Sequence, residues 1–332
     1  MKAVIIRKHG GPDVLSYEEI SDPQCNKGHV LVKVNRCAVN HLDIWVRNGI
    51  SGKAISFPHI LGCDICGTLL EEFQNFKKDE KVIVYPAIAS SLPRVSFSII
   101  GGFGKYQGGY AEVIMVPKKN IIKKPTWLSD DEAASINVSY LTSWNMLEKS
   151  KCKKGDTILI WGSNSGVGSA AILLAKAKGL KVITVASDKN KVNFAKKLGA
   201  DFVIDRSICD VSVEVLRYTK EYGVDAVIDH VGNKTWPTSL QVLKVKGKMI
   251  TCGTTSGGEG MVNIRDFYSK EAQIIGAYLG SKFQLVSLHK FMKSKRIRPV
   301  IDTVFELKDA NLAHQRMEQS SQFGKIILRV SS

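Results

Sequence analysis

Residues 157–171, TILIWGSNSGVGSAA, constrain this chain more than any other stretch: an apolar β-like run breaks into a Ser/Gly turn and re-emerges as an Ala-rich helix. Small residues in such a turn let the backbone approach a pyrophosphate. The amides and dipole at the N-terminus of the following helix favour its negative charge. The spacing Gly162-Ser163-Asn164-Ser165-Gly166-Val167-Gly168 departs from the strict G-x-G-x-x-G pattern, so the strand before it and the helix after it carry the assignment. A glycine-rich turn without a ligand is the alternative. The chemistry implied is hydride transfer with a dinucleotide.

The chain then repeats the unit. An apolar face of Ala171, Leu174, Ala175 and Ala177 runs to Gly179, a helix-stop signal, and 181–185 reads as a second strand. Helix 190–198, strand 202–204, helix 211–219, strand 226–228, helix 235–245 and strands 248–251 and 272–277 follow. Six short strands separated by helices predict an α/β fold with a doubly wound parallel sheet. Residues 1 to about 125 differ: strand-like runs at 3–6, 30–34, 81–85 and 110–116 alternate with Gly and Pro turns and show little helical periodicity. That all-β character predicts a barrel-like substrate domain. The tail, 282–332, ends in a strand at 326–330 that can return to it. The domains expected are therefore 1–125 with 283–332, and 126–282.

Composition narrows the function classes. The 332 residues are 44% hydrophobic and 23% charged, enough for two domains with a sizeable core. No apolar run approaches the roughly 20 residues that span a bilayer, and the start MKAVIIRKHGGP carries charge too early for a signal-peptide core. No membrane partner is expected, and the location expected is cytoplasmic. The seven cysteines are an odd, scattered set, not a disulfide framework. The net charge of +16 is spread along the chain without basic runs interleaved with aromatics, so nucleic acid is not the expected partner. The basic excess suits steering of an anionic cofactor or an acyl-thioester substrate.

In order along the chain, MKAVIIRKHGGPDVL, CAVNHLDIWVRNG, FPHILGCDICG, GGYAEVIMVP, LTSWNML, GSNSGVGSAA, DAVIDHVG, MITCGTT and FGKIILRV resemble the motifs of the medium-chain dehydrogenase/reductase superfamily over essentially the full length. That superfamily includes zinc alcohol dehydrogenases and zinc-free quinone and enoyl reductases. The resemblance implies a GroES-like β-barrel catalytic domain plus a Rossmann domain, with the active site in the cleft between them. Catalytic zinc takes three protein ligands from Cys, His and acidic side chains. The positions that align with those ligands are Asn40, Cys63 and approximately Asn137. Two amides and a thiol make a poor zinc site, and residues 88–100, aligned with the structural zinc lobe, contain no Cys. No metal is expected; were one bound, Cys63 would be its first ligand. The Cys63-x-x-Cys66 pair leaves three readings open: buried structural thiols, a metal site completed by Asp43, His41 or Asp64, or redox chemistry. Cys37, on the other side of the same motif, keeps the metal reading open.

Cofactor choice turns on the end of the second strand. NAD-preferring domains place an acidic residue there, but Ala186 stands in its place. Ser187 can donate to a 2′-phosphate, and Lys191 and Arg206 can pair with its charge. The resemblance adds that a Lys and a Tyr occupy these last two positions in NADP-dependent quinone reductases. Asp188 argues the other way. The balance favours NADP(H) over NAD(H). By resemblance, Cys252, Gly253, Thr254, Ala277, Leu279 and Thr142 also meet the cofactor, Thr142 near the nicotinamide, and Lys325 aligns with a basic residue near the pyrophosphate.

For catalysis, Asn40 can donate a hydrogen bond to the oxygen that gains charge. His41, Asp43 and Trp45 line the same stretch, with His41 able to relay a proton, and Cys63 adjoins the substrate. The reading is a zinc-independent, NADP(H)-dependent reductase of quinones or α,β-unsaturated carbonyl and enoyl substrates. The alternatives are an alcohol dehydrogenase with an atypical zinc site around Cys63, and a cofactor- or RNA-binding protein without turnover. Homodimers or homotetramers are expected, paired through an edge strand at 272–279. Loops 50–57 and 87–104 are expected to shape the substrate pocket.

Overall fold

The computed structural model describes residues 1–49, 55–89 and 97–331. The parts of the two expected pocket loops at 50–54 and 90–96 lie outside these residues. The chain divides into two compact units, Met1–Val138 with Ile301–Ser332, and Ser139–Val300. These divisions fall later than 125/126 and 282/283, because the helix after residue 129 packs on strands of the first unit and the helix after residue 281 packs on a helix of the second.

The first unit opens with β1 (Lys2–Ile6), β2 (Ser16–Glu19), β3 (His29–Ala38), α1 (His41–Asn48), β4 (His59–Ile60), β5 (Asp64–Leu69), β6 (Lys81–Val84), β7 (Ala87–Ala89), β8 (Phe97–Ile99), β9 (Val113–Pro117), β10 (Ile121–Lys123) and α2 (Asp130–Ala134). β3 is the hub. Its first half pairs antiparallel with β9 and its remainder, from Val32 to Ala38, with β5, and β5 in turn pairs with β6. Paired on both edges and packed on both faces, β5 carries a nearly continuous buried run. Helix α1 was not expected in this all-β stretch. It forms because Asp43 reaches back to the Asn40 N–H at 2.8 Å, closing the helix start, and Gly49, at φ 72°, ends it.

The second unit runs α3 (Leu141–Ser150), β11 (Thr157–Ile160), α4 (Gly166–Ala177), β12 (Lys181–Ala186), α5 (Lys189–Lys197), β13 (Phe202–Asp205), α6 (Val211–Tyr218), β14 (Val224–Asp229), α7 (Trp236–Gln241), β15 (Leu243–Thr251), α8 (Ile264–Ser269), β16 (Gln273–Gly276) and α9 (Lys282–Lys295). The six strands form one sheet in the order β13-β12-β11-β14-β15-β16, every pair parallel. Strand order reverses between β11 and β14, and in such sheets ligands meet the carboxyl ends of the strands at that point. Leu159, Ile183, Val227 and Met249 fill the core. The helix expected over 235–245 is shorter. α7 ends at Gln241, and the chain becomes strand from Leu243, which registers beside Val224 of β14.

The tail adds β17 (Ile301–Glu306), α10 (Ala310–Glu318) and β18 (Lys325–Arg329) to the first unit. β18 pairs antiparallel with β3, placing Ile327 opposite Ala38. Among the described residues, the resulting seven-stranded sheet runs β10-β6-β5-β3-β18-β17, with β9 also on β3. It shares one core with the three-stranded sheet β2-β1-β4.

Candidate functional site

Strand register builds a polar centre inside the first unit. Ala38 lies opposite Asp64 on one side and Ile327 on the other. The residues just past these strand ends, Asn40 and Cys63, therefore converge with Asp64 and with Lys325 at the start of β18. The Lys325 ammonium, 2% exposed, donates to the Val39 carbonyl at 3.1 Å, Asn40 Oδ1 at 2.6 Å and Asp64 Oδ2 at 3.0 Å. Asp64 Oδ1 accepts from the Asn137 N–H at 3.0 Å. Among the described residues, the Asn40 amide nitrogen donates to the Ala38 carbonyl at 3.2 Å and makes longer contacts to Asp64 Oδ2 at 3.4 Å and Cys63 Sγ at 3.7 Å. Thus Asn40, Cys63 and Asn137 meet around Asp64.

Asp43 anchors the floor of this centre. Its carboxylate accepts from the backbone N–H of Asn40 at 2.8 Å and of Gly62 at 3.2 Å, and from the Tyr110 hydroxyl at 3.2 Å. Gly62 is required there: its φ is 98°, and a Cβ would sit 2.4 Å from the Tyr110 ring. Behind Asp43 the hydrogen bonds run in one direction. Arg47, fully buried, has only donors, so at 3.1 Å it donates to His314 Nδ1. His314 Nε2 then donates to the Tyr110 oxygen at 3.0 Å, and Tyr110 donates to Asp43. Arg47 also pairs with Glu318. Burial, with the Arg47 charge beside it, lowers the His314 pKa to about 3. Burial also raises Asp43 to about 7, against the hydrogen bonds and Lys325 that favour its charge. It raises Asp64 as well, with Lys325 opposing, and pushes the Cys63 and Cys37 thiols far up.

The structure separates the other candidates. His41 and Trp45, one turn apart on α1, lie on its half-exposed face with ring centroids 6.4 Å apart, while Asp43 and Arg47 occupy the buried face. Cys63 is surrounded by Asp43, Asp64, Cys37 and Lys325, whereas Cys66 lies among Asp130, Lys124, Lys81 and Arg36. The two thiols therefore sit in different charged surroundings. Lys325, expected near the pyrophosphate, directs its ammonium to three buried oxygens of the first unit.

These residues do not fit zinc. Asn40 turns its oxygen to a lysine and its nitrogen to Cys63, so both members of the would-be ligand pair face a donor, and a fixed positive charge stands within the cluster.

In the second unit the glycine turn closes tightly at the carboxyl end of β11. Ser165 caps α4 by accepting from the Gly168 N–H at 2.9 Å, and a Cβ on Gly168 would stand 2.0 Å from the Gly162 carbonyl oxygen. Capping leaves the Gly166 and Val167 amides directed out of the helix end. Ser163 Oγ is buried without a partner among the described residues, and so fits a ligand acceptor or donor at this turn. Ser143 donates to the Val167 carbonyl at 2.9 Å, fixing the start of α3, with Thr142 buried, against the turn. A dinucleotide's pyrophosphate fits this arrangement.

Sequence reasoning missed what supports the turn from β14. Asp229 accepts from Val231 N–H, Gly232 N–H, Thr235 Oγ1 and Ser239 Oγ. His230 Nε2 donates to the Trp161 carbonyl at 2.9 Å, with Ser165 Oγ 3.3 Å away, and its ring fills the space beside Gly162. The signal available was DHVG, an acid and an imidazole ending an apolar strand. Cys252, whose N–H donates to the Asp229 carbonyl at 3.3 Å, Gly253, packed on His230, and exposed Thr254 follow β15 beside them. Ala277, whose N–H donates to Thr251 at 2.7 Å, and Leu279 are buried, and Leu279 has φ 51°, a strained value for a Leu.

At the end of β12, Lys191 Nζ donates to Ser187 Oγ at 3.0 Å. Asp188 caps α5 by accepting from the Lys191 N–H at 3.0 Å, and its other oxygen is 3.3 Å from Lys191 Nζ. Arg206 is exposed, and its N–H donates to the Ala186 carbonyl at 3.0 Å.

Comparison with known proteins agrees with this architecture. The family described as alcohol dehydrogenase GroES-like domain matches residues 26–126, and that described as zinc-binding dehydrogenase matches 166–294. A human quinone oxidoreductase is 29% identical, covering 99% of this chain and 97% of its own. An NAD-dependent alcohol dehydrogenase of Sulfolobus acidocaldarius is 30% identical over the whole of both chains. The crystal structure of an NAD-dependent alcohol dehydrogenase superposes with a TM-score of 0.93 at 32% identity, covering both chains completely. Among the described residues no helix is long and apolar enough to cross a membrane.

Proposed function

Because the chain belongs to the medium-chain dehydrogenase/reductase superfamily and is an NAD(P)-dependent oxidoreductase, we propose that it reduces quinones or α,β-unsaturated carbonyl compounds with NADPH and without zinc. The observation that carries this reading is the Lys325 ammonium bonded to Asn40 Oδ1 at 2.6 Å, at one of the positions where zinc-bearing relatives place a ligand.

NADPH, when bound, supplies a hydride. Gly162, Ser163 and the amides of Gly166 and Val167 hold its pyrophosphate, with Cys252, Ala277 and Leu279 as further contacts. Ser187, Lys191 and Arg206 meet the 2′-phosphate. Asp188, the argument for NAD, is occupied in capping α5 and pairing with Lys191, while Ala186 removes the carboxylate that would repel the phosphate. In a substrate that accepted this hydride at its electrophilic carbon, the carbonyl oxygen would gain charge, and a proton from solvent would complete the reduction. Asn40 Nδ2 exchanges its long contacts for a charge-assisted bond to that oxygen. The edge strand β16 pairs two copies of the chain into a homodimer or the core of a homotetramer.

The test is NADPH oxidation by the purified, chelator-treated enzyme with quinones, enones and enoyl thioesters. Turnover is expected, with kcat falling about 100-fold in Asn40→Ala, as for loss of one oxyanion donor. Lys191→Ala is expected to weaken NADPH binding and leave NADH binding unchanged. Alcohol-dependent reduction of NAD, lost on chelation, would replace this reading with an alcohol dehydrogenase.

A further inference from the structure

We infer that the polar centre of the first unit is built around a cation, and that this cation is the Lys325 ammonium, which thereby keeps divalent metals away from Cys63. Three oxygens of different origin converge on one nitrogen: the Val39 carbonyl, the Asn40 amide and the Asp64 carboxylate, at 2.6–3.1 Å. Lys325 and Asp64 are 2% and 0% exposed, so neither charge has water to solvate it and each depends on the other. The Cys63 sulfur lies beside them, 3.7 Å from Asn40 Nδ2. Remove the ammonium and a carboxylate, an amide oxygen, a carbonyl oxygen and a nearby thiol surround a vacated cation position. That is a donor set for a small divalent ion. With the ammonium present, a second cation meets direct repulsion at a few ångströms in a buried site.

The lysine also positions Asn40. Donation into Oδ1 fixes which way the amide faces and polarises it, so that Nδ2 becomes the stronger donor. This consequence for turnover rests on the function proposed above; the occupation of the centre by an ammonium does not.

Cobalt(II) is the probe, because its bond to a thiolate gives a charge-transfer absorption that reports Cys63 directly. Wild-type protein titrated with cobalt is expected to show no such band. Lys325→Ala is expected to gain it, with about one cobalt per chain, and to lose it again in Lys325→Ala/Cys63→Ala. Circular dichroism checks each fold, and Lys325→Gln, which keeps a donor for Asp64, replaces the alanine variant if that one is unfolded. A thiolate band in the wild type overturns the inference, and so does its absence from a folded lysine variant. NADPH oxidation measured on the same samples keeps the two readings apart. A wild type that binds no cobalt and reduces no quinone or enone defeats the proposed function, while the cobalt pattern of the variants decides this one.

Discussion

At the residue scale, Tyr110 shows how a buried polar group holds the centre. Its hydroxyl accepts from His314 and donates to Asp43. Tyr110→Phe keeps the ring against Gly62 but strands the His314 Nε2–H in a dry interior, and Asp43 loses one of three donors. Leaving a buried donor unmade costs about 1–3 kcal/mol. The unfolding free energy from urea titration is therefore expected to fall by that amount at unchanged slope, and an unchanged value would mean that water reaches this chain of bonds. None of it was legible in the sequence. Asn40, Asp43 and Cys63 could be named because they sit in short motifs that resemble those of the superfamily, although only the Asn40–Asp43 contact is local in sequence. Lys325 and Asp64 are 261 positions apart, and Tyr110 and His314 are 204 apart. Pairing of distant strands joins the first pair and the packing of α10 within the first unit joins the second, and no pattern in one sequence states which distant elements meet.

At the scale of elements, the turn between β11 and α4 depends on one missing side chain. A Cβ at residue 168 would stand 2.0 Å from the Gly162 carbonyl oxygen, a backbone atom that cannot turn aside. Gly168→Ala is expected to open the turn, abolish NADPH binding measured by fluorescence titration, and lower stability by roughly 1–3 kcal/mol through overpacking. Ser165→Ala removes the cap alone, costs about 1 kcal/mol, and is expected to weaken cofactor binding without abolishing it. If both variants bind NADPH like the wild type, the cofactor does not rest on this turn. The alternating strands and helices here were readable because each βα repeat is local, a short apolar run giving way to a 3.6-residue period. Its errors were local too. Residues 243–245 have an apolar content that suits a helix end, yet the neighbouring β14 edge draws them into β15. Helix α1 escaped notice because its eight residues are fixed by Asp43 and Gly49 rather than by a long apolar period.

At the scale of the whole molecule, folding must place ionisable groups where their charge is unwelcome, and stability then depends on pH. His289 of α9 has a buried Nε2 without a partner among the described residues, and burial lowers its pKa from 6.5 to about 4. Between these values the unfolded chain binds a proton there that the folded chain refuses. The stability His289 allows is therefore full above about pH 6.5 and is lost as pH falls toward 4. His314, lowered to about 3, acts in the same direction. Asp43 acts oppositely: raised from 3.8 to about 7, its folded form keeps a proton that the unfolded chain has released, so its contribution is present at acid pH and lost as pH rises through 7. With a formal net charge of +16, protonation of carboxylates at acid pH also adds to self-repulsion. Absolute stability thus sums several opposing groups, and a difference between two proteins isolates one. His289→Leu deletes one proton uptake and leaves the charges of the network around Asp43 in place. Its stability relative to wild type is expected to rise as pH falls from 6.5 to 4.5, with a slope approaching about 1.4 kcal/mol per pH unit, read from urea unfolding at several pH values. A flat difference across that window would show that His289 takes up its proton in the folded protein as readily as in the unfolded chain.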